Sequence, residues 1–110
     1  MERVGNAVVV VLSTAPDVAT AQRLANALVE RRLAACVQVI PGILSTYRWK
    51  GDVQRDDEVL LLVKTTRAGA EAVQGAIAQL HPYEVPEVVV LPVEGGGDAY
   101  LRWVAENVGG

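Results

Sequence analysis

Apolar positions along the chain follow two rhythms, and the switches between them mark out the elements. Val8 to Leu12 is an unbroken, mostly β-branched run, as expected of a strand buried on both faces. Ser13-Thr14-Ala15-Pro16-Asp17 interrupts it; Ser, Thr and Asp cap helices and Pro is tolerated in a first turn. The spacing then predicts a helix over Val18–Leu33, with Val18, Ala21, Leu24, Ala25 and Leu28 in one stripe at intervals of three and four. Ala34 to Ile40 reads as a second strand, ending at the turn signal Pro41-Gly42. The chain resumes extended from Ile43 to Trp49, and Lys50-Gly51-Asp52 marks another turn. Glu58 to Lys64 holds Val59-Leu60-Leu61-Leu62-Val63, a second interior strand.

Thr65 and Thr66 offer N-caps for a helix over Arg67–Leu80, with its stripe at Ala70, Val73, Ala76 or Ile77, and Leu80; Gly69 and Gly75 weaken it. His81 to Glu87 cannot be regular helix, because Pro82 and Pro86 bias the residues before them to extended geometry. Val88 to Leu91 predicts a fourth interior strand. Gly95-Gly96-Gly97 is a break, and Asp98 can cap a last short helix over Ala99–Val108.

Strand, helix, strand, strand, helix, strand, helix gives two βαβ halves. That is the split βαβ pattern of the ferredoxin-like sandwich. The fold class expected is α/β (of the α+β kind), a single domain over residues 1–110. Its four-stranded antiparallel sheet carries two helices on one face, with a short C-terminal helix added. Helices on one face leave the other bare, and strands this apolar should not leave it in water. An oligomer is therefore expected, with Ile43–Trp49 as an arm that pairs with a neighbour.

Composition narrows the function classes. A 110-residue chain can bury roughly 65% of its unfolded surface, enough for a core without metal or disulfide staples. Phenylalanine is absent, so that core comes from Val, Leu, Ile and Ala. A net charge of −3 argues against phosphate recognition by overall charge, and no basic sheet surface with exposed aromatics suggests nucleic acid. The pair Arg31 and Arg32 falls where the first helix ends and complements its dipole. Nothing approaches the ~20 apolar residues of a membrane span. The Ala7–Leu12 run is shorter than a secretory signal core, and Glu2 beside Arg3 is wrong for its flank. One cysteine, Cys36, excludes an intramolecular disulfide. The reading is a cytoplasmic protein.

Few residues could carry chemistry. His81 is the only histidine; imidazole is a good Cu²⁺ ligand, and Glu84 lies three residues on, with Glu87 a weaker candidate. The alternative is that His81 satisfies hydrogen bonds at a helix end. Cys36 is a soft metal ligand, or else a small core hydrophobe in its apolar run. Tyr47, Trp49, Tyr83 and Trp103 could line a cleft between subunits, or pack an interface. Lys64 beside Thr65 and Thr66 could hold an anion at a helix N-terminus, or the threonines simply cap. No nucleophile accompanies His81 and Glu84, so no catalytic residues are assigned and no enzyme is expected. The glycine triplet lacks the spacing and the Lys-Ser/Thr of a phosphate loop.

Four stretches in this order resemble the CutA family of divalent-cation tolerance proteins. They are Val11-Leu12-Ser13-Thr14-Ala15-Pro16; Leu33-Ala34-Ala35-Cys36-Val37 with Ile40-Pro41-Gly42; Ser45-Thr46-Tyr47-Arg48-Trp49-Lys50-Gly51 with Glu58 and Lys64-Thr65-Thr66; and His81-Pro82-Tyr83-Glu84-Val85-Pro86-Glu87 with Tyr100-Leu101-Arg102-Trp103. The resemblance implies a ferredoxin-like protomer in a homotrimer. It also implies a role in copper and other divalent-cation tolerance, with no assigned enzymatic activity. No cofactor is required; Cu(II) or another divalent cation is the implied ligand, and neither nucleic acid nor membrane is an implied partner. Some family members carry a cysteine where Ser13 stands and a second histidine where Leu80 stands. Of that set only His81 remains, so weak or moderate Cu(II) binding is expected. The trimer also has the look of PII signalling proteins. That leaves open a signalling or scaffold role, with a small anion or a partner protein bound between subunits.

Overall fold

The computed structural model describes residues 7–109; Glu2, Arg3 and Gly110 lie outside them. In chain order the elements are β1 (Val8–Ala15), α1 (Val18–Glu30), β2 (Cys36–Trp49), β3 (Asp52–Thr66), α2 (Ala70–Leu80), β4 (Val89–Pro92) and α3 (Asp98–Glu106). The strands form one antiparallel sheet in the order β2-β3-β1-β4, the ferredoxin-like arrangement that the element pattern predicts.

Directly opposed residues share a sheet face. One face carries Val11 opposite Val63, Ser13 opposite Leu61 and Ala15 opposite Val59. There Val11, Ala15, Val59, Leu61 and Val63 pack with Ala21, Leu24 and Leu28 of α1 and with Val73, Ala76 and Ile77 of α2, forming the core. The other face carries Leu12 opposite both Leu62 and Val89, and Leu60 opposite both Thr14 and Ile40. Here Val10, Leu12, Leu60 and Leu62 are only partly covered, and Ile40, Val89 and Leu91 are exposed. α3 packs on β1 and β3, with Val104 fully buried.

α1 starts where Asp17 accepts the Thr20 N–H at 2.7 Å. That bond holds the Asp17 carboxyl below its usual range. The helix ends at Glu30, with Arg32 in the left-handed region at φ 58°. The guanidinium of Arg32 donates to the carbonyls of Glu106 and Gly109, at 3.1 and 2.6 Å. Its charge thus complements the end of α3, not the helix it follows.

Several expectations change on contact with the fold. Pro41-Gly42 is no turn, since β2 runs through it. Between the Ile40–Leu60 and Ile43–Glu58 pairs β2 takes three steps and β3 two, so one extra residue is accommodated as a bulge, with Gly42 at φ 84°. β3 begins at Asp52, six residues before the Glu58 at which the apolar pattern places its start, because its first six residues face solvent. α2 begins at Ala70, since β3 pairs as far as Thr66 opposite Val8. The Thr65 hydroxyl donates instead to the Leu33 carbonyl at 2.7 Å. Asp98 lies inside α3, whose N-cap is Gly97. β4 pairs with β1 alone and is an exposed edge, not an interior strand. Val18 and Leu80, in the terminal turns of their helices where core contacts are fewest, are half-exposed.

Beyond the bulge, β2 and β3 leave the sheet as a two-stranded ribbon that makes the molecule 48 Å long but only 26 by 22 Å across. At its tip Lys50 and Gly51, both with positive φ, join Trp49 to Asp52. Positive φ at both loop residues is the geometry whose twist matches the strands of a two-residue hairpin. No helix among the described residues is long and apolar enough to cross a membrane.

An acidic and aromatic cleft at the base of the arm

The segment after α2 has no regular structure, as its prolines require, and it folds back against the root of the ribbon. Between the two opens a cleft of about 720 Å³, lined by Thr14, by Leu44–Tyr47, Trp49 and Glu58 of the β2–β3 arm, and by Tyr83–Glu87. Its charged lining groups are Glu58, Glu84 and Glu87, with no basic side chain among them.

His81 forms the hinge of this segment. It is the C-cap of α2 and is buried at 8% exposure. The Tyr83 N–H donates to its Nδ1 at 3.1 Å, so Nδ1 is an acceptor and Nε2 carries the proton. Nε2–H in turn donates to the Thr14 carbonyl at 2.6 Å. Both ring nitrogens are therefore engaged by backbone, and the ring lies 4.7 Å from that of Tyr83. Ser13, fully buried, donates its hydroxyl to the Glu87 carbonyl at 2.8 Å. These bonds pin both ends of the 81–87 segment to β1.

Tyr83 crosses the cleft and donates to Glu58 Oε2 at 2.9 Å. Burial, reinforced by the bond to Glu58 and by its charge, pushes the Tyr83 phenol up to about 12. The phenol therefore remains a donor at neutral pH. Tyr47 donates to Asp56 across the ribbon, and that bond likewise raises its phenol. At the tip, the Lys50 ammonium lies 5.8 Å from the Trp49 ring centroid, within cation–π range.

Of the residues singled out from sequence, Tyr47, Trp49, Tyr83 and Glu84 line the cleft, and His81 braces its floor through Thr14. Cys36 does not join them. It pairs with Lys64, whereas Thr14 pairs with Leu60, four residues or about 13 Å along β3. Lys64 donates to Gln38 Oε1 at 2.7 Å and stands on a strand, away from any helix start. Trp103 is half-exposed on α3 beside Tyr100. Among the described residues no three of His, Cys, Asp and Glu come together as a metal-holding group. Sequence reasoning missed Thr14 and Glu58 as site residues. The available signal for Glu58 was a carboxylate abutting the apolar run Val59–Val63, where a buried charge needs a partner.

Fold and cleft together define a ferredoxin-like α/β domain with a negatively charged, aromatic-walled cleft. Comparison with known proteins sharpens this. The profile of the family described as CutA1 divalent ion tolerance protein matches residues 9–107. The chain is 51% identical to the divalent-cation tolerance protein CutA of Thermus thermophilus over 91% of this chain and 97% of that one. It is 50% identical to the CutA of Pectobacterium atrosepticum over 87% of each. The solved structure of the Thermus thermophilus protein superposes with a TM-score of 0.90 at 50% identity, covering 93% of this chain and 99% of that one. This chain belongs to the CutA family of divalent-cation tolerance proteins.

Proposed function

We propose that the protein works as a cytoplasmic homotrimeric binding protein in divalent-cation tolerance, not as an enzyme, and holds Cu(II) or a similar cation weakly at the arm cleft. The observation that supports this reading is that Glu58, Glu84 and Glu87 line one cleft that has no basic side chain in its lining. Such a field favours a cation and disfavours the small anion of a PII-like role. The donor set sets the expected strength. His81 must release a backbone bond before Nδ1 or Nε2 can meet a metal, and no second imidazole or thiolate stands near. Glu84 and His81 are the proposed ligands, with binding coupled to opening of the 81–84 turn. The partly covered apolar face and the two-stranded arm support the trimer, since an isolated ribbon is marginally stable in water.

A calorimetric Cu²⁺ titration, with mass measured by light scattering in the same buffer, tests the proposal. The expected result is three chains per particle and saturable binding with a dissociation constant of about 1 μM or weaker. His81→Ala and Glu84→Gln should each weaken it further. Unchanged binding in His81→Ala would remove His81 from the site, and absence of saturable binding in the wild type would remove the metal role.

A further inference from the structure

We infer that the cleft is also a seat for a small organic cation, a primary alkylamine or guanidinium compound with a hydrocarbon body. This rests on the same reading of the cleft as a cation site but names a different ligand class.

Three observations converge. Glu58 is nine-tenths buried, and its Oε2 is occupied by a neutral phenol that stays protonated. No hydrogen bond from another described residue reaches its Oε1. No fully buried side-chain oxygen among the described residues lacks a partner, so Oε1 keeps accessible surface, and Glu58 is one of the residues that line the cleft. A nearly buried carboxylate facing a cavity without a countercharge in its lining is complementary to a hydrogen-bonding cation.

The walls decide which cation. Tyr47, Trp49 and Tyr83 present aromatic rings, and Leu44, Val85 and Pro86 present hydrocarbon. A bare metal ion gains nothing from such surfaces, whereas an alkylammonium gains both cation–π attraction and apolar contact. The ammonium of Lys50, the next residue, stands 5.8 Å from the Trp49 ring centroid, so a ligand ammonium on that ring competes with it. The volume, about 720 Å³, lies within the range of small-molecule sites. Glu84 and Glu87 on the facing segment offer a second carboxylate for a second amine, which favours a diamine over a monoamine.

The test uses 1,5-diaminopentane and its neutral counterpart 1,5-pentanediol, each titrated into the full-length protein by calorimetry and by tryptophan fluorescence. The diamine should saturate and the diol should not. Glu58→Gln, which keeps the shape and an acceptor for Tyr83, should weaken the diamine roughly 10- to 100-fold, the worth of a bond to a charged group. Trp49→Leu, on the exposed arm, should weaken it about two- to fivefold and covers the case of a Glu58 variant that fails to fold. Equal heats for diamine and diol, no saturation by the diamine, or wild-type affinity in both variants would overturn the inference. Parallel Cu²⁺ titrations separate the two readings: copper binding without diamine binding sinks the amine site alone, and diamine binding without copper binding sinks the metal site alone.

Discussion

β3 is one strand with two halves, and they live under different rules. From Val59 to Thr66 it pairs with β1, and as far as Lys64 with β2 as well, and Val59, Leu61, Val63 and Thr65 are buried under the helices. From Asp52 to Asp57 it has β2 alone for a neighbour, and every residue is exposed. The first half is held by packing. The second is held by its backbone ladder, by the turn at Lys50-Gly51, and by polar bonds such as Tyr47 to Asp56. The junction between them, at Glu58, is where the cleft opens. The site thus sits where the core's packing gives out and before the ribbon's solvent exposure is complete.

The sharpest way to break this comparison is to truncate a side chain in each half. Leu61→Ala, at a fully buried position, should cost about 2–5 kcal/mol in urea unfolding. Leu44→Ala, at 82% exposure on the arm, should stay within about 0.5 kcal/mol in a lone chain. A loss at Leu44 approaching that at Leu61 would mean that the arm is covered in solution. It would then equalise the two halves and support the trimer.

A smaller effect probes the far end of the same strand. A Cβ at Gly69 would lie 2.7 Å from Thr65 Oγ1 and 3.0 Å from Val108 Cγ1, whereas one at Gly75 meets nothing within 4 Å. Gly69→Ala should therefore lower stability by about 1–3 kcal/mol. Gly75→Ala, in the interior of α2, should raise it by roughly 0.5–1 kcal/mol. A neutral Gly69→Ala would show that the β3–α2 corner is looser than the contacts imply.

The smallest effect belongs to the junction. The Tyr83 phenol is raised from 10 to about 12 in the folded chain. Its contribution to stability is then fully present below pH 10 and is lost as the pH rises toward 12. A spectrophotometric tyrosine titration should show the Tyr83 phenol as the last of the tyrosines to ionise, after Tyr47, and earlier in Glu58→Gln. Coincident titration in the two proteins would deny that Glu58 and Tyr83 are coupled.

The same division explains what was legible in the sequence. Buried halves of strands announce themselves: Val8–Leu12 and Val59–Val63 were readable as apolar runs, and the ferredoxin-like order followed from them. The arm half of β3 was silent, because Asp52, Arg55, Asp56 and Asp57 keep it soluble on both faces and leave no period to read. Pro41-Gly42 carried a true signal for irregular backbone, but a bulge and a turn use the same residues. Scarcity of aromatics marks Tyr47, Trp49, Tyr83 and Trp103 as a set, of which the first three line the cleft and Trp103 stands apart on α3; Glu84 is legible only beside His81. Thr14 and Glu58 could not be marked. They reach the cleft only because β1 and β3 pair in one register, and Tyr83 arrives from twenty-five residues beyond Glu58. That is information about pairing, which no local window contains.

The two-residue tip has a consequence for how this arm can change length over evolution. With Trp49 paired to Asp52 and side chains alternating along both strands, the ribbon keeps its ladder and its two-residue tip when it changes by matched steps, one residue from each strand, an unmatched residue needing a second bulge like that at Pro41-Gly42. A single matched step between the bulge and Trp49 would carry Trp49 to the opposite face, while two would return it to the cleft face about 7 Å further along the strand. Steps added beyond Trp49, at the tip, leave it in place; those added between the bulge and Trp49 have to come in pairs, four residues in all, to keep its ring on the cleft face, a quantised inheritance imposed by the pleat.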